Sequence, residues 1–196
     1  MTEQLIGNCL HLARREDREQ SILQEAKTQG LYLKFWEGIE NRHNRKEGVC
    51  KGHKQIIMDA KENGYKYCVV IEDDALFFGA GAWDYFLESM PDDFDIYFSM
   101  IYVGEITNNR ITSLFSGMTC YIVAERFYDF FLNGIPDDCH LDRELGKYSA
   151  QFKFVVCDKF ICEQMDNNKS DNTLTTTVSY RPFLKGRKIF GDVNID

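Results

Sequence analysis

The chain has 196 residues, enough for one packed domain with little room for a second. Its 44% hydrophobic and 14% aromatic content excludes a disordered chain. The 31 acidic against 23 basic residues, a net charge of −8, argue against tight non-specific binding to nucleic acid, whose affinity depends on phosphate neutralisation. No run approaches the roughly 18 apolar residues of a membrane span. The start, Met1-Thr-Glu-Gln-Leu-Ile-Gly7, lacks a basic segment followed by an apolar signal core, so a soluble, cytoplasmic protein without a transmembrane segment is expected.

In chain order, residues 5–12 read as a strand. A charged helix over 16–29 stops at Gly30, and 31–36 reads as a second strand. The run from Gly48 to Gly64 has Val49, His53, Ile56, Ile57 and Ala60 at helical spacing. It feeds into Cys68-Val-Val-Ile71, a short β-branched run without polar alternation, as in a strand covered on both faces of a parallel sheet. This alternation predicts a parallel βαβαβ opening. Beyond it, 82–89 reads as helix and 94–100 as extended. Residues 110–115 are extended behind a hairpin-like Asn108-Asn109. A strand over 118–123, a helix over 125–132, a short helix over 141–145 and a strand over 152–156 follow. From Asp158 onward the chain is polar, and loops with a peripheral tail over 175–196 are expected. The helical spacing of Trp83, Tyr85, Phe86, Phe127, Tyr128, Phe130 and Phe131 favours core packing over sugar stacking.

The third strand ends in three consecutive carboxylates, Glu72, Asp73 and Asp74. Ligands bind outside the carboxyl ends of strands in open α/β sheets, and adjacent acids repel unless a cation neutralises them. The cluster therefore reads either as an Mg²⁺ or Mn²⁺ site that holds a nucleotide diphosphate or as a solvated acidic turn. Seven cysteines, several inside apolar runs, favour reduced buried thiols. Cys157 and Cys162 with Cys139-His140 upstream allow a zinc site to be imagined, although no Cys-x-x-Cys pair is present.

The order of these blocks resembles a known family. The strand leading into Asn8-Cys-Leu-His-Leu-Ala-Arg-Arg-Glu-Asp-Arg18, then Gly48-x-x-x-Gly-His53 before a helix, then Val70-Ile-Glu-Asp-Asp74, is similar to the opening of family 25 glycosyltransferases. Pro136-x-x-x-x-Leu-Asp142-x-x-Leu145 and Gln164-x-x-x-x-x-Ser-Asp171 resemble its later segments. Gly52 stands where the family has serine, and the loop between Trp36 and Gly48 is short. The resemblance implies a GT-A fold. A Rossmann-like donor half over about 1–100 would continue into a smaller acceptor half over 101–174, forming one α/β domain over 1–174.

It further implies a metal-dependent hexosyltransferase that moves galactose or glucose from a UDP donor, with inversion, to a hydroxyl acceptor such as a glycan. A nucleic acid acceptor is disfavoured by the net charge. Asp74 would ligate Mn²⁺ or Mg²⁺, with Glu72 and Asp171 as further ligands. Glu72 would also reach the ribose, and Asp73 would support one of these roles. Arg14, Arg18, His53 and Gln164 would contact the donor, and Asp142, with Glu144 beside it, would be the base. Each has a bland counterpart: Asp142 or Asp138 capping a helix, Arg14 and Arg18 paired with Glu16 or Glu19, His53 packed in the core, Gln164 and Asp171 in a polar loop. Lys46 and Lys54 would assist a diphosphate or simply be solvated. A non-catalytic nucleotide-sugar binding module, or a nucleotidyltransferase, remain alternatives, the latter without a phosphate-binding loop to favour it.

Overall fold

The computed structural model describes residues 5–166 and 179–192. The predicted opening is present: strand β1 (Gly7–His11), helix α1 (Glu16–Gln29), strand β2 (Leu33–Glu37), helix α2 (Arg45–Glu62) and strand β3 (Tyr67–Glu72), with β1 parallel to both β2 and β3. Gly30, in the left-handed region, ends α1. Helix α2 begins ahead of the predicted Gly48 because the Asn44 side chain caps it, accepting from the Glu47 backbone N–H.

Strand β4 (Ala75–Phe77), helix α3 (Ala82–Glu88) and strand β5 (Ile96–Phe98) come next. The hairpin of β6 (Ile106–Thr107) and β7 (Arg110–Ile111) turns through Asn108 and Asn109, both at positive φ. Strand β8 (Cys120–Ala124), helix α4 (Tyr128–Asn133), helix α5 (Leu141–Gly146), strand β9 (Phe154–Val156) and strand β10 (Cys162–Gln164) complete the elements. The helix expected over 125–132 is divided into a 3-10 turn and α4. The extended segment expected over 110–115 pairs only through Arg110 and Ile111.

The main sheet runs β2-β1-β3-β8-β5-β9-β7-β6, with β8 antiparallel to both β3 and β5. Its centre is apolar on both faces: Val70, Ile71, Tyr121, Ile122 and Phe98 are fully buried, and Phe86 stacks on Tyr97 at 4.4 Å between ring centroids. The aromatic residues on α3 and α4 join this core, as their spacing predicts.

Strand β10 and buried residues near the end of the chain depart from the expectation of loops and a peripheral tail after Asp158. Strand β10 pairs antiparallel with β4, Gln164 opposite Ala75, and Leu184 and Ile189 are buried. Both strands have only three residues, too few for a period to show. No helix among the described residues is long and apolar enough to cross a membrane, and all seven cysteines are thiols.

The carboxyl ends of β1, β2, β3 and β5 share one edge of the sheet, where β8 presents its amino end. The N-terminus of α2 reaches the same edge because it follows β2. Close packing holds it there: a Cβ on Gly48 would lie 2.1 Å from the Ile39 carbonyl oxygen, and one on Gly52 would lie 2.8 Å from Leu10 Cδ1. The second contact is with the end of a flexible side chain and is readily relieved, so the first, against backbone, is the one that demands glycine.

Gly48→Ala is expected to lower the melting temperature. An overpacking cost of about 1–3 kcal/mol, at its upper end against a backbone atom, exceeds the helix-propensity gain of about 1 kcal/mol. A thermal melt with unchanged or raised midpoint would show that α2 does not pack this closely.

Candidate active site

At the shared edge, the chain leaves a cleft of about 560 Å³. The Glu72–Asp74 turn lies at its floor, with Leu10, His11 and Gly38 on one side and Tyr102, Gly117 and Met118 on another. Helices α2 and α5 lie side by side and contribute Lys46, His53, Asp142 and Arg143 to its lining.

The three carboxylates have different surroundings. Asp73 is buried and satisfied: Oδ2 lies 2.9 Å from His11 Nδ1, and Oδ1 accepts from Arg18 Nη1 at 2.7 Å. Asp74 is also buried; its Oδ2 lies 3.3 Å from Arg18 Nη2, while its Oδ1 has no hydrogen-bond partner among the described residues. Burial pushes the Asp74 carboxyl up to about 6, against the opposing pull of Arg18. Glu72 accepts from Gln164 Nε2 at 3.2 Å. Burial, then the Asp74 and Asp73 charges, raise it well above the usual carboxylate range. The site therefore carries more negative charge than Arg18 neutralises.

The surrounding residues hold this turn in place. His53 is pushed down to about 4 by burial and is neutral at pH 7. Its Nδ1 lies 2.7 Å from Tyr121 Oη and its Nε2 3.7 Å from Glu72 Oε1. With Tyr121 donating to Nδ1, the ring proton on Nε2 faces Glu72. The Met165 backbone N–H donates to the Asp74 carbonyl at 2.8 Å, and the Gln164 N–H donates to Tyr102 Oη at 2.6 Å. Strand β10 thus delivers Gln164 to the acids. Tyr102 in turn stacks on Tyr180, at 4.6 Å between centroids. Tyr180 follows directly on Ser179, where description of the chain resumes, and lines the cleft.

Asp142 also lines the cleft, close enough to Glu72 to raise it further. Its Oδ2 accepts from the Gly117 N–H at 3.1 Å and its Oδ1 from the Arg143 N–H at 2.7 Å. His140 occupies the N-cap position of α5 without a side-chain cap bond, and Asp142 lies in the first turn, where its Oδ1 serves the helix terminus through the Arg143 N–H. Each carboxylate oxygen keeps a further acceptor site.

Of the residues the sequence singles out, the structure brings together Arg18, His53, Glu72, Asp73, Asp74, Asp142 and Gln164. Arg14 pairs with Glu40 and Glu144 with Lys147, and neither lines the cleft. Lys54 pairs with Asp137, whereas Lys46 lines the cleft. Asp171 lies outside the described residues. His11, Tyr102 and Tyr180 join the site without having been singled out. Only His11 carries a sequence signal, a polar residue closing an apolar strand.

The acid turn fits a divalent cation bound by one or two carboxylates and completed by phosphate oxygens and water. The orphaned Asp74 Oδ1 and the raised Glu72 and Asp74 support that fit. Among the described residues, no group of three or more His, Cys, Asp or Glu side chains could enclose a metal alone. The imagined zinc site is not formed there: Cys139 Sγ lies 3.6 Å from Cys50 Sγ, and Cys162 Sγ lies 3.2 Å from Ser99 Oγ.

No family model matches the chain, and no curated protein matches it in sequence. Several solved structures resemble it at low identity. One is a glycosyltransferase involved in glycosylation of the major capsid protein of PBCV-1: TM-score 0.51, 7% identity, covering 79% of this chain and 81% of that one. A second, from STIV, has TM-score 0.52 and 7% identity, covering 90% and 95% of the two chains. A third is a Drosophila β-1,4-galactosyltransferase 7 mutant in complex with manganese, UDP-Gal and xylobiose: TM-score 0.50, 13% identity, covering 99% and 84%. The fold is thus an α/β fold of the GT-A glycosyltransferase type.

Asp74 in the folded protein titrates above its unfolded value of about 3.9. The folded state therefore has the full benefit of the protonated group below about pH 4 and loses it as pH rises to about 6. In metal-free buffer, urea melts are expected to show Asp74→Asn gaining on the wild type across that window and holding the gain above it. A gain independent of pH would contradict the raised carboxyl. Arg18→Met, which strips Asp73 and Asp74 of their cation, is expected to cost about 3–5 kcal/mol at pH 7 and less at pH 4.

Proposed function

We propose that this chain is a metal-dependent glycosyltransferase. It transfers a hexose, galactose or glucose, from a UDP-linked donor to a hydroxyl-bearing acceptor with inversion at the anomeric carbon. The observation that carries this reading is the pair of acids with raised carboxyls, half-buried Glu72 and buried Asp74, with Asp74 Oδ1 unpartnered among the described residues in a cleft that Asp142 also lines. Bound Mn²⁺ or Mg²⁺ would supply Lewis acidity that offsets the charge developing on the departing diphosphate.

Asp74 and Glu72 would hold that cation, and Glu72 would also reach a donor ribose. His11 and Arg18 fix Asp73 and the Asp74 edge facing Arg18, so the free Asp74 oxygen is the one directed to the ligand. Gln164 and neutral His53 orient Glu72 without adding charge. Asp142 acts as base. It takes the acceptor hydroxyl proton as that oxygen bonds to the anomeric carbon, and the bond from that carbon to the diphosphate oxygen breaks on the opposite face. The Gly117 and Arg143 N–H groups hold the carboxylate in one orientation for this transfer. The fold of similar enzymes supports this reading at the level of architecture.

UDP release from a panel of UDP-hexoses with Mn²⁺ is the test. Turnover is expected to fall at least about 100-fold in Asp142→Asn, with UDP affinity retained. Asp74→Asn is expected to lose both turnover and the Mn²⁺ dependence of UDP binding. Full activity in Asp142→Asn would place the base elsewhere. UDP binding without turnover on any acceptor would identify a non-catalytic module, and pyrophosphate release from a nucleoside triphosphate a nucleotidyltransferase.

A further inference from the structure

The wall of the cleft built by α2 and α5 carries charge opposite to that of its floor. Lys46 in the first turn of α2, His140 at the cap of α5 and Arg143 within α5 all line the cleft and are exposed. They are electrostatic neighbours. Desolvation and then Lys46 hold His140 below its usual range; Arg143 pushes the same way, while Asp142 opposes them. The side chains of Lys46 and Arg143 make no hydrogen bond or ion pair with a described residue.

Lys51, Lys54 and Lys147, on or beside the same two helices, pair with Glu47, Asp137 and Glu144. Unpaired cations crowded on one wall repel one another, and an anion between them removes that cost.

We infer that Lys46, His140 and Arg143 form an anion subsite on the acceptor side of the cleft, and that the acceptor whose hydroxyl reaches Asp142 carries a phosphate group. This rests on the transferase reading of the same cleft. Arg143 places the subsite beside the base, because its own N–H holds Asp142 Oδ1. The donor diphosphate is assigned instead to the cation at the Asp74 turn. Three donors from two separate elements suit a tetrahedral phosphate, which can accept from several directions, better than a planar carboxylate, which pairs with a single fork. A polyanion is disfavoured, since Lys46 and Arg143 supply only two cations on a chain of net charge −8.

The test uses the full chain and isothermal titration. UDP with Mn²⁺ is titrated first, and glucose 6-phosphate or neutral glucose is then titrated into the UDP-saturated protein. Glucose 6-phosphate is expected to bind, at least about tenfold more tightly than glucose, and to weaken as salt rises. Arg143→Gln and Lys46→Gln, both at exposed positions and checked for unchanged melting, are expected to weaken it by about tenfold each while changing UDP affinity less than about twofold. Arg143→Lys should recover part of the loss.

Equal binding of the two sugars would overturn the inference. So would variants that weaken UDP in place of the phosphosugar, because the cations would then serve the donor. If UDP itself fails to bind, the donor reading fails separately. Glucose 6-phosphate binding to the free protein, lost in both variants, would still support the anion subsite, and its absence would overturn it.

Discussion

Burying carboxylates at the end of an apolar strand is costly, and here the cost is met only in part. Arg18 reaches Asp73 and Asp74 from α1, and His11 reaches Asp73 from β1. One guanidinium and a hydrogen-bonded histidine cannot neutralise three acids, so Glu72 and Asp74 retain protons into a range where ordinary carboxylates are ionised. Much of the architecture secures this arrangement. The parallel β1 and β3 bring His11 alongside Asp73, and α2 supplies the neutral His53. The short β4–β10 sheet clamps the turn from its far side through Met165 and Gln164. The resulting site is held in one arrangement and can receive positive charge, which the proposed donor diphosphate with its cation would bring.

The parts legible in the sequence were those with strong periodicity or local chemistry. Helix α1 could be read to its last residue because Gly30 supplies a left-handed stop, and β3 because an unbroken apolar run ends in charge. The Asn108-Asn109 turn was likewise written in residue types that tolerate positive φ. Strands β4 and β10 were not legible. Each has three residues, and they pair only because the chain returns across the sheet after β9. Elements this short draw their stability from tertiary contact, which no local pattern records.

The same division runs through the site. Glu72, Asp73 and Asp74 announce themselves as a cluster, and Arg18, His53, Asp142 and Gln164 were named from the resemblance to family 25 glycosyltransferases. The division of labour among the acids could not. Asp73 and Asp74 are adjacent and chemically identical, and Arg18 reaches one oxygen of each; the difference is set by His11, which β1 places against the second oxygen of Asp73 alone. Tyr102 and Tyr180 were hidden for a related reason. They are far apart in sequence, and their stacking, with the Arg181–Glu163 ion pair, brings the segment after Ser179 against the cleft.

The central claim is that the open oxygen of Asp74 receives a cation carrying a nucleoside diphosphate. Anomalous diffraction from crystals grown with MnCl₂ and UDP tests it most directly. The account predicts a manganese peak bonded to Asp74 Oδ1 and to diphosphate oxygens, within the cleft that Glu72 and Asp142 line. UDP bound elsewhere on the protein, or bound in the cleft with no manganese at Asp74, would contradict it.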